Sequence, residues 1–360
     1  MAAPVPRPGI LDIAPYIGGE AQAEGATRLI RLASNEGALG PSPRAAAAYQ
    51  ALAGELHRYP DGGSTALTEA LARRHGVDAG RIVCGAGSDE LISLITRAFA
   101  GPGDEVLYSA HGFLMYAIAA RAAGATPVTA AETDLTADVD ALLAAVTPRT
   151  RIVFLANPNN PTGSWLTAAE VRRLHAGLPG SVLLVIDAAY AEFVTVPDYG
   201  DGAELALASD NVVMLRTFSK IHALAALRLG WALCPPAIAG VLHRVRGPFN
   251  VNAAAQAAAL AALEDETFVA AARAHNEACR AWFSDRLTAL GLTVFPSAGN
   301  FVLVDVSPWG EAEAVRLHLK ARGILVRQMG VYKLGHCLRI TIGRREEMEE
   351  VVAALDAYPR

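Results

Sequence analysis

Short apolar runs alternate with longer amphipathic stretches between about residue 29 and residue 246. The runs are four or five residues long: RIVC at 81–84, EVLY at 105–108, RIVFL at 151–155, VLLVI at 182–186 and VVML at 212–215. Strands buried on both faces have this continuous apolar character, and parallel neighbours need helical connections. The pattern predicts an α/β chain whose mostly parallel sheet is flanked by helices.

The last third of the chain has a different pattern. An alanine-rich helical stretch runs from Ala253 to about Leu290, and strand-like runs follow at 301–304, 324–326 and 338–342. This mixture favours a smaller α+β domain with an antiparallel sheet.

A chain of 360 residues is long enough for one large and one small domain. Prolines interrupt every early helix. We therefore predict an irregular N-terminal arm over 1–28, a large domain over 29–247, whose first residues could pack with the small one, and a small domain over 248–360.

Composition excludes several classes of partner. The net charge of -5 argues against nucleic-acid binding and against an anionic membrane surface. No uninterrupted apolar stretch is long enough for a signal peptide or a membrane span. The four cysteines lie far apart without a CxxC pair. We therefore expect no metal site, no disulfide framework and a cytoplasmic location.

Lysine is rare in this chain, and one lysine follows a predicted buried strand. Lys220 ends the segment TFSK at 217–220, directly after the run at 212–215; Lys320 and Lys333 are the others. Desolvation there would lower the pKa of the amine and make it a usable nucleophile or base. Taken alone, the segment could equally be a surface loop.

Two further predicted strands end in polar side chains. The run at 182–186 leads into Asp187 and Tyr190, and the run at 151–155 leads into NPNNPTG, which contains Asn160. The carboxyl ends of parallel strands meet at the edge where ligands bind. An aspartate there could keep a heterocyclic nitrogen protonated, although an isolated one could also cap a turn.

A glycine-containing loop, GAGSDE at 85–90, follows the first run and opens a predicted helix. Its free N–H groups suit an anion such as phosphate. The loop lacks the third glycine of a dinucleotide fingerprint, and a nicotinamide dehydrogenase would leave Lys220 and Asp187 without a role.

Together the segments supply a phosphate cradle, an amide, a carboxylate with a phenol, and a lysine followed by Arg228. Pyridoxal 5'-phosphate has a matching phosphate, phenolic oxygen, pyridine nitrogen and aldehyde. We predict it as the cofactor.

The motifs and their spacing resemble fold-type I pyridoxal-phosphate-dependent aminotransferases. SNEGALGPSP at 34–43, RYPDGGS at 58–64 and CLRITIG at 337–343 are similar to the histidinol-phosphate aminotransferase branch. The resemblance covers nearly the whole chain, from APY at 14–16 to the last helix. It implies a large α/β domain with a mostly parallel sheet and a smaller α+β domain.

The resemblance implies a role for each matched cofactor residue. Lys220 forms the Schiff base and moves the proton, and Asp187 pairs with the pyridine nitrogen. Asn160 and Tyr190 bind the phenolic oxygen, and Phe113 stacks on the ring. The phosphate is held by a further group: Ser88, Asp89, Thr217, Ser219 and Arg228.

The resemblance also implies substrate contacts. Arg327 and Arg339 match arginines that bind the anionic end of the substrate, since a guanidinium fork suits a carboxylate or a phosphate. Tyr16 closes over the site and Asn35 lies beside the substrate. Tyr59 matches a tyrosine that reaches the phosphate in the neighbouring subunit, which implies a homodimer with shared active sites.

Three positions depart from the family pattern. Phe113 replaces a common tyrosine, which keeps the stacking surface and loses a hydroxyl. The segment DAAY at 187–190 replaces DEAY and keeps both polar residues. The segment NEGA at 35–38 replaces NENP and makes the turn more flexible. The first and third departures bear on substrate choice.

We expect ping-pong exchange of an amino group between L-histidinol phosphate with 2-oxoglutarate and imidazole acetol phosphate with L-glutamate. An aromatic (Phe/Tyr) transaminase or a dual-specificity enzyme is an alternative, because methylene-scale discrimination is only ~1 to 3 kcal/mol. A phospho-amino-acid decarboxylase is another. A regulator's sensor domain would need a DNA-binding module, for which the arm over 1–28 is too short.

Overall fold

The computed structural model describes residues 3–22 and 28–359. Its largest sheet has seven strands, in the spatial order Ile82–Gly85, Gly230–Leu233, Val212–Thr217, Leu183–Asp187, Thr150–Ala156, Glu105–Ser109 and Thr126–Ala130. Gly230–Leu233 runs antiparallel to both of its neighbours, and the other strands share one direction. The predicted mostly parallel sheet is confirmed.

Side chains of the central strands alternate between two hydrophobic layers. Val153 and Leu184 point into one layer, and Phe154 and Val185 into the other, as the two-residue period of a strand requires. The first layer is covered by the helices Pro43–Ala51, Thr65–His75, Val139–Ala144, Ala168–Gly177, Ala203–Ala208 and Ala253–Leu263. The second layer is covered by Ser88–Phe99, Leu114–Ala123 and Pro236–Val245.

The C-terminal part contains an antiparallel sheet in the order Thr293–Phe295, Phe301–Asp305, Leu334–Thr341 and Arg327–Met329. Phe283, Leu338 and Met348 belong to its core. The helices that pack on this sheet are Glu266–Ala289, Ala312–Lys320 and Arg345–Asp356. The expected combination of an α/β unit and an α+β unit is therefore present.

One predicted strand has a different partner. Ile324–Leu325 lies outside the antiparallel sheet and pairs in parallel with Ile30–Arg31. The backbone N–H of Ile30 donates to the carbonyl of Gly323 at 2.9 Å, and the Ile30 side chain is buried in the C-terminal core. Burial of this apolar segment holds the beginning of the chain against the C-terminal part.

The alanine-rich stretch from 253 to 290 forms two helices rather than one. The first ends at Leu263 and the second begins at Glu266. The carboxylate of Asp265 between them accepts the N–H of Phe268 at 3.2 Å, which is the geometry of a helix N-cap.

Two other boundaries were predicted, one between the domains and one at the end of the N-terminal arm. The division between residues 247 and 248 stays a prediction. Of the arm predicted over 1–28, residues 1–2 and 23–27 lie outside the described residues, and residues 3–22 hold turns but neither helix nor strand. Among the described helices, none combines the length and the apolar character needed to cross a membrane.

Candidate active site

Polar side chains from several strand ends line one cavity of about 300 Å³ at the carboxyl edge of the large sheet. Sites for small molecules are commonly found at this edge. Every predicted cofactor or substrate residue except Tyr59 lines the cavity: Tyr16, Asn35, Ser88, Asp89, Phe113, Asn160, Asp187, Tyr190, Thr217, Ser219, Lys220, Arg228, Arg327 and Arg339.

Lys220 lies on the loop that follows the strand Val212–Thr217. Its Nζ donates to the carbonyl oxygens of Ser34 at 3.2 Å and Asn35 at 3.3 Å. Burial and, secondarily, the charge of Arg339 lower the pKa of Lys220 to about 8. A larger fraction of the amine is therefore neutral near physiological pH than in an exposed lysine, and a neutral amine is the nucleophilic form.

Asp187 is buried at the end of the strand Leu183–Asp187. Its Oδ2 accepts a hydrogen bond from the hydroxyl of Tyr116 at 2.9 Å. Its Oδ1 is buried and has no partner among the described residues. Burial raises the pKa of Asp187 to about 6. The site thus holds a carboxylate oxygen that a cationic N–H group could satisfy.

The hydroxyl of Tyr190 is held from the beginning of the chain. Nδ2 of Asn35 donates to it at 2.9 Å, and Oδ1 of Asn35 accepts from the hydroxyl of Thr341 at 3.1 Å. Burial raises the pKa of Tyr190 to about 12. The phenol therefore stays protonated and can donate a hydrogen bond into the cavity.

The N-terminus of the helix Ser88–Phe99 forms one end of the cavity. Nη2 of Arg228 lies 3.0 Å from Oδ2 of Asp89, and Nη1 of Arg228 lies 3.4 Å from Oγ of Ser219. Oγ1 of Thr217 accepts the N–H of Ser219 at 3.1 Å and fixes this loop. Free helix N–H groups beside a guanidinium group make a favourable phosphate site.

Glycines allow two close approaches around this cavity. Gly87 has a φ of +90°, and a Cβ there would lie 2.5 Å from Nη2 of Arg228. A Cβ at Gly37 would lie 2.6 Å from the Cβ of Ala223 and 3.2 Å from the carbonyl oxygen of Lys220. The first glycine lets the guanidinium group reach the helix N-terminus, and the second lets the NEGA turn pack on the lysine loop.

Two arginines form another part of the wall. Arg339 is buried, its Nη1 donates to Oδ1 of Asn160, and its Nη2 donates to the carbonyl of Ala33 at 2.8 Å. Its Nε lacks a partner within the described structure. Arg327 lies 5.6 Å from the ring centroid of Tyr16. The cavity therefore offers two guanidinium groups to an anionic ligand.

Ion pairs hold the N-terminal arm near these arginines. The carboxylate of Glu20 lies 2.6 Å from Nη1 of Arg316 and 2.7 Å from Nζ of Lys320. Nη2 of Arg327 donates to the carbonyl of Ile17 at 2.8 Å. These contacts place the half-exposed Tyr16 at the cavity wall.

Comparison with known proteins matches residues 27–355 to the family model of aminotransferase class I and II. The chain belongs to this aminotransferase family. The histidinol-phosphate aminotransferases of Rhodospirillum centenum and Paramagnetospirillum magneticum are 65% and 62% identical to it, over 99% of this chain and 98% and 99% of theirs.

Solved structures agree with the fold of this aminotransferase. The histidinol-phosphate aminotransferase of Sinorhizobium meliloti, in complex with pyridoxal-5'-phosphate, has a TM-score of 0.91 at 33% identity, covering 99% of this chain and 97% of that one. Aspartate aminotransferase of Thermus thermophilus with maleate has a TM-score of 0.82 at 23% identity, covering 91% of each chain, and supports the fold alone. The fold-type I prediction is confirmed.

The aminotransferase family uses pyridoxal phosphate, and the cavity fits that cofactor. The unpartnered Oδ1 of Asp187 matches a pyridine nitrogen, and the partly buried amine of Lys220 matches an aldehyde. The Arg228 guanidinium group, which lies close to Gly87 at the helix N-terminus, suits a phosphate. The predicted role of each residue nevertheless stays a prediction.

Tyr59 alone among the predicted residues of the aminotransferase lies away from the cavity. It is 83% exposed, and its ring stacks on that of Phe249 with the centroids 4.7 Å apart. Asn35 reaches the cavity, and its amide is committed to Tyr190. The contact of Asn35 with the substrate stays a prediction; in the structure its side chain binds the hydroxyl of Tyr190.

The sequence interpretation missed two residues of this aminotransferase's site. Tyr116 lies three positions beyond Phe113, and a helical period would have placed both on one face. Thr341 lies two positions beyond Arg339 on the strand Leu334–Thr341, and the strand period would have placed both on one face. Neither the helical period nor the strand period predicts which residue the hydroxyl of Tyr116 or of Thr341 contacts.

Proposed function

We propose that this aminotransferase exchanges the amino group between L-histidinol phosphate with 2-oxoglutarate and imidazole acetol phosphate with L-glutamate, a step of L-histidine biosynthesis. The observation that carries the proposal is the pair Arg327 and Arg339 in the same cavity as Lys220. Guanidinium groups bind carboxylates and phosphates alike. One pocket can therefore accept glutamate in one half of the reaction and a phosphorylated compound without a carboxylate in the other.

Pyridoxal phosphate is held by the residues that line the cavity. Asp187 binds the ring nitrogen through Oδ1, and Asn160 and Tyr190 bind the phenolic oxygen. Phe113 would stack on the ring. Phe113 itself meets Tyr116 edge-to-face, with 6.0 Å between the ring centroids. The phosphate would be held by the helix N-terminus together with a group of side chains that line the cavity: Ser88, Asp89, Thr217, Ser219 and Arg228.

When bound, the cofactor supplies an electron sink for the negative charge that develops on the substrate α-carbon. Lys220 would be the base and acid of the reaction: its Nζ would take the proton from the substrate α-carbon and return it in the second half of the exchange. The lowered pKa of about 8 suits both roles, because proton transfer is most effective when the pKa is near the working pH.

Arg339 orients the substrate and Tyr16 encloses it. The Arg339 guanidinium is fixed by Asn160 and by the carbonyl of Ala33, which leaves its Nε for a ligand. The ring of Tyr16 lies against Arg327, so a substrate bound to the arginines is shielded from water. Exclusion of water strengthens the contacts between arginine and anion.

The active form is a homodimer with shared active sites. Tyr59 and the ring stacked on it, Phe249, are 83% and 44% exposed, and Leu56 and Tyr49, which precede Tyr59 in the chain, are exposed as well. Exposed apolar side chains of this kind are typical of an interaction surface. Tyr59 of one subunit then binds the cofactor phosphate of the other.

We place the enzyme in the cytoplasm. Its four cysteines, Cys84, Cys234, Cys279 and Cys337, are free and buried. Burial raises the pKa of Cys84, Cys234 and Cys337 to about 12, which keeps these thiols protonated and unreactive. Free thiols are usual in a reducing compartment.

The proposed reaction is tested by its half-reactions. Purified holoenzyme is mixed separately with histidinol phosphate, glutamate and phenylalanine, and loss of the visible absorbance of the bound cofactor is followed. We expect conversion by histidinol phosphate and by glutamate at concentrations far below those required for phenylalanine. The Lys220→Ala variant serves as the control that binds substrate without conversion.

Other results would assign another activity. Conversion at the lowest concentration by phenylalanine would indicate an aromatic transaminase, with Phe113 and the NEGA turn as the first positions to exchange. Release of carbon dioxide from a phosphorylated amino acid would indicate a decarboxylase. Either result would overturn the proposed reaction and leave the cofactor site unchanged.

A further inference from the structure

Tyr116 belongs to none of the motifs that bind the cofactor, yet it contacts the residue predicted to bind the cofactor nitrogen. It lies in the first turn of the helix Leu114–Ala123 and has no exposed surface. Its hydroxyl donates to Oδ2 of Asp187 at 2.9 Å. The two residues are 71 positions apart in the chain.

Three aromatic rings fix the orientation of Tyr116. Phe154 stacks on it with the centroids 4.5 Å apart and an interplanar angle of 2°. Phe113 and Tyr108 meet it edge-to-face at 6.0 Å and 5.9 Å. A ring packed on several sides keeps one rotamer, so the hydroxyl is aimed at Asp187 before any cofactor binds.

The hydroxyl acts only as a donor in this position. Burial raises the pKa of Tyr116 well above its ordinary value of 10.0, so the phenol stays protonated. A hydrogen bond from a neutral donor to a carboxylate is stronger than one between neutral groups. It satisfies Oδ2 of Asp187 and leaves Oδ1 as the oxygen without a partner in the described part of the chain.

Three of the four neighbours that affect the charge of Asp187 act against the effect of burial. The Tyr116 hydroxyl, the backbone N–H of Ala189 and the charge of Lys220 lower its pKa, whereas the charge of Asp89 raises it. Of these, the hydrogen bond from Tyr116 lowers the pKa of Asp187 the most. A side chain that donates to Oδ2 therefore favours the charged carboxylate.

We propose that Tyr116 is a positioning residue that holds the Asp187 carboxylate with Oδ1 directed toward the cofactor ring nitrogen and keeps it anionic. This inference rests on the proposed cofactor site and is independent of which substrate the enzyme uses. Tyr116, which lies one helical turn beyond Phe113, therefore acts on the cofactor only through Asp187.

The Tyr116→Phe variant tests the proposal through cofactor affinity. The apoenzyme is titrated with pyridoxal phosphate and with the 1-deaza analogue, in which carbon replaces the ring nitrogen. Loss of one hydrogen bond to a charged group weakens binding of pyridoxal phosphate by about tenfold, or ~1.4 kcal/mol. Binding of the deaza analogue is unchanged, because it has no N–H for Asp187 to accept.

The pH dependence of binding gives a second readout. Affinity for pyridoxal phosphate falls at acidic pH as Asp187 is protonated. Because the Tyr116 hydroxyl lowers the pKa of Asp187, its removal moves this acidic limb to higher pH. A residue that merely fills space would leave the limb where it is.

Two control variants separate this role from packing. Tyr108→Phe removes a hydroxyl from a neighbouring ring and leaves both affinities unchanged. In the Asp187→Asn background, Tyr116→Phe has no additional effect on pyridoxal phosphate, since the carboxylate through which it acts is gone. This second comparison holds even if Tyr116→Phe alone folds less stably.

The proposal is overturned by equal losses for pyridoxal phosphate and the deaza analogue, by unchanged affinity for both, or by an acidic limb that stays in place. None of these results depends on histidinol phosphate. A wrong substrate assignment would leave the Tyr116 effect intact, and a failed Tyr116 effect would leave the substrate assignment intact.

Discussion

The side-chain amide of Asn35 donates to the hydroxyl of Tyr190 across 2.9 Å. Oδ1 of Asn35 accepts from the hydroxyl of Thr341 in the C-terminal sheet, and the backbone N–H of Asn35 donates to Oγ1 of Thr341. Asn35 has a φ of +55°, in the left-handed region that asparagine tolerates better than most residues. One residue therefore connects the strand that carries Arg339 with the tyrosine beside Lys220. Substrate binding at one end of the site and cofactor contacts at the other share this connection.

We expect Asn35→Ala to lower kcat by about tenfold, because the Tyr190 hydroxyl loses a buried hydrogen bond of roughly 1 kcal/mol and its fixed position. Thr341→Val removes the group that orients Asn35 and has a smaller effect in the same direction. The double variant is no worse than Asn35→Ala alone if the three residues act as one chain. Additive losses in steady-state kinetics would show independent roles.

The lowered pKa of Lys220 has a consequence for stability of the apoenzyme. The folded-state pKa of about 8 lies below the ordinary value of 10.5, so between these values the unfolded chain binds the proton more tightly. Raising the pH through this window therefore stabilises the folded state. Lys220→Met lacks this contribution.

Urea denaturation of both apoproteins between pH 8 and pH 10 measures the difference. We expect the free energy of unfolding of the wild type, relative to Lys220→Met, to rise by roughly 1 to 3 kcal/mol over the window. The other titrating groups are common to both proteins and cancel. A constant difference across the window would mean that Lys220 is not desolvated.

Arg339→Lys tests the guanidinium fork while keeping the charge. A lysine cannot hold Asn160 and the carbonyl of Ala33 and also bind a ligand, so we expect kcat/KM to fall by about 10²-fold for both glutamate and histidinol phosphate. Arg345→Lys is a matched control, because Arg345 packs on the ring of Trp282 away from the cavity. Equal effects of the two substitutions would remove Arg339 from substrate binding.

Hybrid dimers test whether Tyr59 acts across the subunit interface. Tyr59→Ala weakens cofactor binding and Lys220→Ala abolishes turnover. At a pyridoxal phosphate concentration too low to load Tyr59→Ala, neither variant turns over alone. If each site combines Lys220 of one subunit with Tyr59 of the other, mixing the two variants restores one intact site in each hybrid. Random mixing then makes about a quarter of all sites active. No recovery would place Tyr59 within its own subunit or outside the site.

Much of the fold could be predicted from local patterns. All five apolar runs of the N-terminal region form sheet strands, because a strand that is buried on both faces needs a nearly continuous run of apolar residues. Thr126–Ala130 and Gly230–Leu233 were missed. The first has a partly exposed, polar composition typical of a sheet edge, and the second begins with a glycine that weakens its strand signal.

The site was predicted better than its supporting contacts. Motifs at strand ends converge because parallel strands share one carboxyl edge. The partners of Asp187 and Asn35 are set by tertiary packing: Tyr116 lies 71 residues from Asp187, and Thr341 lies 306 residues from Asn35. No local pattern encodes such pairs.

The central claim is that the pocket is built for a phosphorylated amine. The most direct measurement is the kcat/KM of the wild-type holoenzyme for histidinol phosphate, histidinol and phenylalanine, each with 2-oxoglutarate as acceptor. We predict a preference for histidinol phosphate over histidinol of at least about 10²-fold, since charge-assisted contacts to a phosphate contribute roughly 3 kcal/mol. A kcat/KM for phenylalanine equal to or above that for histidinol phosphate would contradict the claim.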